Sequence, residues 1–192
     1  MADEKVTERG SQDGFLEEKA FESRFVFIMG PINDVVAKDT ARRLIALSAA
    51  SDAPINILLS SPGGHVESGD VIHDIVKFIR APVNMIGTGW VASAGTHIFL
   101  GVPLERRVCL ENTRFLIHQP SGGMGGQATD IAIQAKEIVR MRERIARVIA
   151  RETGQPLEKV QVDIDRDFWM SAEEAIAYGL VSRVIKSHKD LA

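Results

Sequence analysis

Cysteine is almost absent: Cys109 stands alone in 192 residues, so no disulfide can form within the chain. That fits a reducing compartment, and the apolar neighbours Val108 and Leu110 make Cys109 buried filler rather than a reactive thiol. A basic excess is absent as well. Lys and Arg number 23 against 26 Asp and Glu, the net charge is -3, and the sequence pI is about 6.0. Neither nucleic acid nor an anionic membrane is implied as a partner. No run approaches the ~18 apolar residues of a membrane span. The N-terminal MADEKVTERGSQDGFLEEKAFES is polar and mostly acidic. It has neither the apolar core of a signal peptide nor the Arg-rich, acid-poor character of a transit peptide. Cytoplasm is the expected compartment. HExxH, paired CxxC and GxxxxGK[ST] patterns are missing, and His65, His73 and His188 show no metal-ligand spacing. Metal catalysis and nucleotide binding in this chain are therefore not expected.

What is present is an ordinary globular composition, 45% hydrophobic and 26% charged. Residues 1–14 read as a mobile polar segment and 15–192 as one domain with a single core. Strand-like and helical runs alternate. Strands are expected at Phe25–Gly30, Ile55–Ser61 and Val83–Gly89, with short ones at Val108–Leu110, Phe115–His118 and Val181–Ile185. Helices are expected at Asn33–Ala50, Val66–Arg80, about Val91–Leu100 and Thr129–Glu152. Val36, Ala37, Leu44, Ile45 and Ser48 mark the apolar face of the first. Val71, Ile72, Ile75, Val76 and Ile79 mark that of the second. Ser171 to Glu174 reads as a capping box, with Gly179 as the stop of that helix. This alternation predicts βαβ crossovers and a mainly parallel sheet. The helix from 129 has few neighbours left to cover it, which points to an oligomer.

Chemistry is most concentrated in FLIHQPSGGMGGQATD, Phe115 to Asp130. A β-type run delivers His118 into Gln119-Pro120, and five of the eight positions 121–128 are Ser or Gly. Imidazole moves protons near neutral pH, and glycine admits a substrate backbone. Ser93, in GTGWVASAG, sits where a strand passes into a helix, a placement that exposes a nucleophile. The GxSxG pattern itself is missing. Ser60 to Gly64, SSPGG, can turn backbone N–H groups outward, and the amides of Gly64 and Ala94 would make an oxyanion hole. An orienting acid is needed, and Asp163, Asp165 and Asp167 all qualify, with plain surface solvation the alternative for each. His97, four residues after Ser93, is a formal competitor as base, but nothing nearby in sequence orients it.

Taken together, SSPGG, the ASAG serine segment, LIHQP with GGMGGQATDI, TGQPLEKV and DRDFWMSAEEAIAYGLV resemble the proteolytic subunit family of the caseinolytic (Clp) protease, over about residues 24–186. The resemblance implies a spiral of βαβ units like that of the crotonases, with residues 129–152 as a protruding handle helix. It implies Ser93 as nucleophile, His118 as general base and then acid, and Asp167 as orienting acid, with Gly64 and Ala94 as oxyanion donors. Residues His65, Val66, Ser121, Gly122, Gly123 and Met124 would bind extended substrate, and Asp165 and Arg166 would meet another ring. Two stacked seven-membered rings, a separate hexameric AAA+ unfoldase that consumes the ATP, and unfolded protein substrates are the implied partners. No cofactor is implied in this chain. Three features depart from the family pattern: the polar N-terminus, the missing tyrosines at Asn56–Leu58, and Ala94 in place of a common Met. A divergent or non-catalytic paralogous ring subunit is one competing reading. A crotonase-type acyl-CoA enzyme, using the same amide pair on a thioester enolate, is the other.

Overall fold

A computed structural model describes residues 14–122 and 125–191. Most of the segment expected to be mobile, together with Gly123 and Met124, therefore lies outside the described residues. The strands are β1 Phe25–Met29, β2 Ile55–Ser61, β3 Val83–Ala92, β4 Arg107–Cys109, β5 Arg114–Ile117, β6 Phe168–Met170 and β7 Arg183–Val184. The helices are α1 (14–22), α2 Asp34–Ala50, α3 Val66–Phe78, α4 Ala94–Phe99, α5 Ala128–Thr153, α6 Leu157–Asp163 and α7 Ala172–Tyr178. The fold is α/β around one parallel sheet, in the order β1-β2-β3-β4-β7. β5 pairs parallel with the far end of β3, and β6 joins β5 antiparallel.

Local chemistry explains the elements. In β2, Ile55, Ile57 and Leu59 alternate with half-buried positions and are fully buried, as a covered strand requires. The Asn33 side chain caps α2 by accepting the Val36 N–H at 3.0 Å. Ser171 and Glu174 complete the expected capping box on α7, and Gly179 ends that helix in the left-handed region. The helical faces differ slightly from expectation. Ile45 and Val71 are about half exposed, and Thr40, Leu47, Ser68 and His73 take buried places instead. Cys109 is fully buried as expected; burial pushes its thiol pKa up to about 11, so it stays protonated and inert at neutral pH.

Three boundaries were not visible in the sequence pattern. Helix α1 occupies 14–22, where only polar sequence was apparent. β3 runs on to Ala92, past the expected end at Gly89, because Trp90, Val91 and Ala92 find a new partner in β5. β6 was not expected; three residues are too few to show a period. Between these partners β3 changes course. Leu59 pairs with Gly87, yet Ser61, two residues on, pairs with Val91, four residues on. The extra length is a bulge, and it bends β3 away from β4 toward β5. Ser93 is delivered by that bend.

Candidate active site

Ser93 lies between the last residue of β3 and the first of α4. Its backbone sits at φ 55 and ψ -119, outside the regions a non-glycine residue ordinarily occupies. Such strain persists only where the surroundings over-determine it. Here they do: the Ser93 N–H donates to Leu116 O at 3.0 Å, and the buried Thr96 hydroxyl lies 2.8 Å from both Val91 O and Leu116 O. The result is a strand–turn–helix elbow that turns Oγ outward, built without the GxSxG residues.

His118 follows β5 directly, and its ring reaches both partners. Nε2 is 2.7 Å from Ser93 Oγ and Nδ1 is 3.0 Å from Asp167 Oδ1. Asp167 is carried by the start of β6, whose antiparallel pairing with β5 opposes Ile117 with Phe168. The unforeseen strand therefore sets Asp167, rather than Asp163 or Asp165, against the His118 ring. None of the three aspartates is simply solvated: Asp163 accepts from Tyr178 Oη at 2.7 Å, and Asp165 meets the Gln119 amide through its backbone oxygen at 2.8 Å. Gln119 is a positioning residue that sequence reading passed over. Its own N–H donates to Ile164 O at 2.6 Å, so the segment after His118 is tied twice to the loop bearing Asp167.

The SSPGG turn packs on the back of the elbow. Ser61 is fully buried; its Oγ donates to Gly30 O at 2.7 Å and accepts the Gly63 N–H at 3.0 Å. Gly63 has φ +92, and a Cβ there would lie 2.6 Å from Ser93 Cβ and 2.8 Å from Ala92 O. Gly64 has φ +149, and a Cβ there would lie 2.2 Å from Ile32 O. Only glycine fits either position. The amides of Gly64 and Ala94 donate to nothing among the described residues, which leaves both available beside Ser93.

The family model for Clp protease matches residues 9–188. This chain belongs to the Clp protease family. It is 60% identical to ATP-dependent Clp protease proteolytic subunit 3 of Rhizobium etli, over 91% of this chain and 90% of that one. Against proteolytic subunit 2 of Pseudomonas aeruginosa the identity is 48%, over 98% and 96% of the two chains. ClpP1 from Listeria monocytogenes superposes with a TM-score of 0.84 at 47% identity, covering 92% of this chain and 99% of that one.

In this Clp family member a narrow cleft opens beside Ser93. Val66 and Ile117 wall one side; Ile145 and Ile149 of α5 supply another, which sequence reading did not foresee. His65 is already engaged: its N–H donates to Ile32 O, its C=O accepts from Gly69 N, Nδ1 lies 2.8 Å from Ser68 Oγ and 3.2 Å from Asp34 Oδ1, and Nε2 lies 3.1 Å from Glu67 Oε2. Ser121 and Gly122 are exposed and make no backbone hydrogen bond among the described residues. Asp165 and Arg166 lie together outside the cleft, with Asp165 3.4 Å from Arg142 of α5.

The Ser93 hydroxyl meets the ring of His118 and not that of His97. His97 is nevertheless oriented, contrary to the sequence reading. Its Nε2 lies 2.9 Å from Asp70 Oδ1, close but off the line of a good hydrogen bond, and its ring stacks on His73 at 4.5 Å. Arg144 of α5 grips Asp70 with two contacts of 2.7 Å. Burial disfavours the charged form of Asp70, but His97 and Arg144 outweigh it and hold its pKa well below the usual value of 3.8. The folded protein thus binds this proton more weakly than the unfolded chain. The stability it contributes is present above about pH 4 and is lost as pH falls toward the folded value. Asp70→Asn is expected to lower the melting temperature at pH 7, with the gap from wild type closing below about pH 4. Thermal melts across that range check this; a gap that stays constant with pH would contradict it.

Proposed function

We propose that this chain is the serine endopeptidase subunit of a self-compartmentalised protease. The observation that carries the reading is the unbroken relay Ser93–His118–Asp167, at 2.7 and 3.0 Å, on a strained elbow. With Nδ1–H donating to the Asp167 carboxylate, Nε2 is left as acceptor for the Ser93 hydroxyl proton. Ser93 Oγ attacks a peptide carbonyl as His118 takes that proton. The oxyanion forms within reach of the Gly64 and Ala94 amides, each donor worth ~2.7–4 kcal/mol in such sites. His118 then protonates the leaving amine. Water, deprotonated by the same ring, hydrolyses the acyl-enzyme and frees Ser93. Extended substrate pairs with the edge after His118, including Gly123 and Met124, with the Val66 side opposite.

Assembly and supply belong to the same reading. The first half of α5 leaves Ile131, Ile133 and Val139 exposed, a poor surface for a lone chain and a suitable one for a second subunit. Two stacked seven-membered rings, with Asp165 and Arg166 at the junction, would enclose the site. A separate hexameric AAA+ unfoldase would spend ATP to feed unfolded polypeptide, so no cofactor is required in this chain. The cytoplasm is the matching compartment. Fluorophosphonate labelling of the purified protein, with its native mass measured alongside, tests the reading. Label on Ser93 that requires His118, on a particle far above 21.0 kDa, is expected. An unlabelled protein or a monomer would count against it.

Asp167 should matter less than its role suggests. Its side chain is 64% exposed, so water supports part of the imidazolium charge. Asp167→Asn is expected to lower kcat/KM roughly 10²-fold, against about 10⁴-fold for a buried acid of this kind. Hydrolysis of a fluorogenic peptide measures it, and a full 10⁴-fold loss would mean that assembly desolvates the carboxylate.

A further inference from the structure

Helix α3 begins at the cleft, yet its first turn lacks the side-chain cap that closes α2 and α7. His65 stands at the cap position, and its ring reaches sideways instead. Nδ1 is 2.8 Å from Ser68 Oγ, and Ser68 Oγ donates to Asp34 Oδ1 at 2.6 Å. The Ser68 bond holds the Asp34 carboxyl below its ordinary value of 3.8, so Asp34 is an ionised acceptor at neutral pH. The single hydroxyl proton of Ser68 therefore goes to Asp34, and Ser68 accepts from Nδ1–H of His65. Ser68 is only 2% exposed, so its hydroxyl left without these partners would be costly.

The bridge straddles the segment that carries the Gly64 amide. Backbone rungs tie that segment to the start of α2: Ile32 N–H donates to Gly63 O at 2.9 Å, and His65 N–H donates to Ile32 O at 3.0 Å. Asp34 lies two residues past Ile32, and Ser68 three past His65. The rungs fix how close the two segments lie, and the side-chain bridge stops the turn from pivoting on them. The same turn borders the second amide as well. A Cβ on Gly69, next after Ser68, would stand 3.3 Å from Ala94 Cβ. An oxyanion donor works only within a few tenths of an ångström of its place.

We propose that the His65–Ser68–Asp34 bridge aims the Gly64 amide at the developing oxyanion, with Ser68 and Asp34 as positioning residues that touch no reacting atom. This role rests on the serine-peptidase reading and adds what holds its donor in register. A contact made only in the transition state shows in kcat and not in KM. Ser68→Ala is expected to lower kcat about tenfold per fluorophosphonate-labelled site, with KM changed less than about twofold. The affinity of a peptide aldehyde, whose adduct places an oxygen at the oxyanion position, is expected to fall by the same factor. Asp34→Ala should match Ser68→Ala, and the double variant should lose no more than either one. Asp34→Asn still offers an oxygen to the Ser68 hydroxyl and should keep about half of wild-type kcat or more.

Wild-type kcat in Ser68→Ala or Asp34→Ala, a loss confined to KM, or losses that multiply in the double variant would overturn the proposal and leave the peptidase reading standing. If Ser68→Ala does not keep its native mass, Asp34→Ala, which alters an exposed side chain, decides alone. A wild-type protein that neither cleaves peptides nor labels at Ser93 would remove both.

Discussion

Replacing Ser93 with Ala is expected to reduce peptide hydrolysis on the order of 10⁴-fold or more while the fold persists. Among the described residues, the Ser93 hydroxyl is the group hydrogen-bonded to His118 Nε2, at 2.7 Å. Removing it deletes the nucleophile and leaves the imidazole with nothing to deprotonate but water. The backbone has little reason to respond. Its conformation at φ 55 is imposed by the Ser93 N–H bond to Leu116 O and by the Thr96 staple, and Ser93 Oγ takes part in neither. Alanine meets the same backbone strain as serine. The variant should therefore keep its unfolding free energy within about 1 kcal/mol of wild type, and its native mass. Peptide turnover, fluorophosphonate labelling and native mass are read on the same preparation. Retained turnover would move the chemistry elsewhere, and an acyl-CoA reaction that survived the change would revive the crotonase-type reading.

The second large effect comes from a residue that performs no chemistry. Gly63→Ala should lower kcat/KM by roughly 10²–10³-fold, the loss associated with one misplaced oxyanion donor. A methyl group at position 63 would stand 2.6 Å from Ser93 Cβ and 2.8 Å from Ala92 O, against backbone that cannot swing aside. The residue also needs φ +92, which costs any side chain. Relief requires the SSPGG turn to back away from the elbow. That carries the Gly64 amide off the oxyanion position while leaving Ser93 and His118 paired. The expected signature is a fall in kcat with fluorophosphonate labelling slowed but still confined to Ser93. Wild-type kcat in Gly63→Ala would mean that the turn does not carry a donor.

The order of strands and helices was legible because apolar spacing repeats over many residues. Ile55–Ser61 and the capping box at Ser171 needed no tertiary context. Ser93, His118 and the glycines of SSPGG could be named as candidates, but each alone fits close helix packing, a strand end or an ordinary turn equally well. Their membership of one site was supported by resemblance to a family, not by periodicity. The choice among Asp163, Asp165 and Asp167 could not be made from composition. It depends on β6, three residues long, pairing antiparallel with β5. Likewise the ring of His97 looked unsupported because its partners Asp70, His73 and Arg144 lie on other helices.

By itself, then, the amino-acid sequence determined an α/β chain, a buried inert thiol, and a small set of residues able to move a proton and attack a carbonyl. These follow from short-range physics: side-chain type, period, and the conformations glycine and caps permit. Only the tertiary structure decided which groups meet. The bulge in β3 aims Ser93, β5 and β6 bring His118 between it and Asp167, and α5 closes the pocket with Ile145 and Ile149. Each of those contacts joins residues far apart in the chain, and it is set by strand register and packing rather than by local preference.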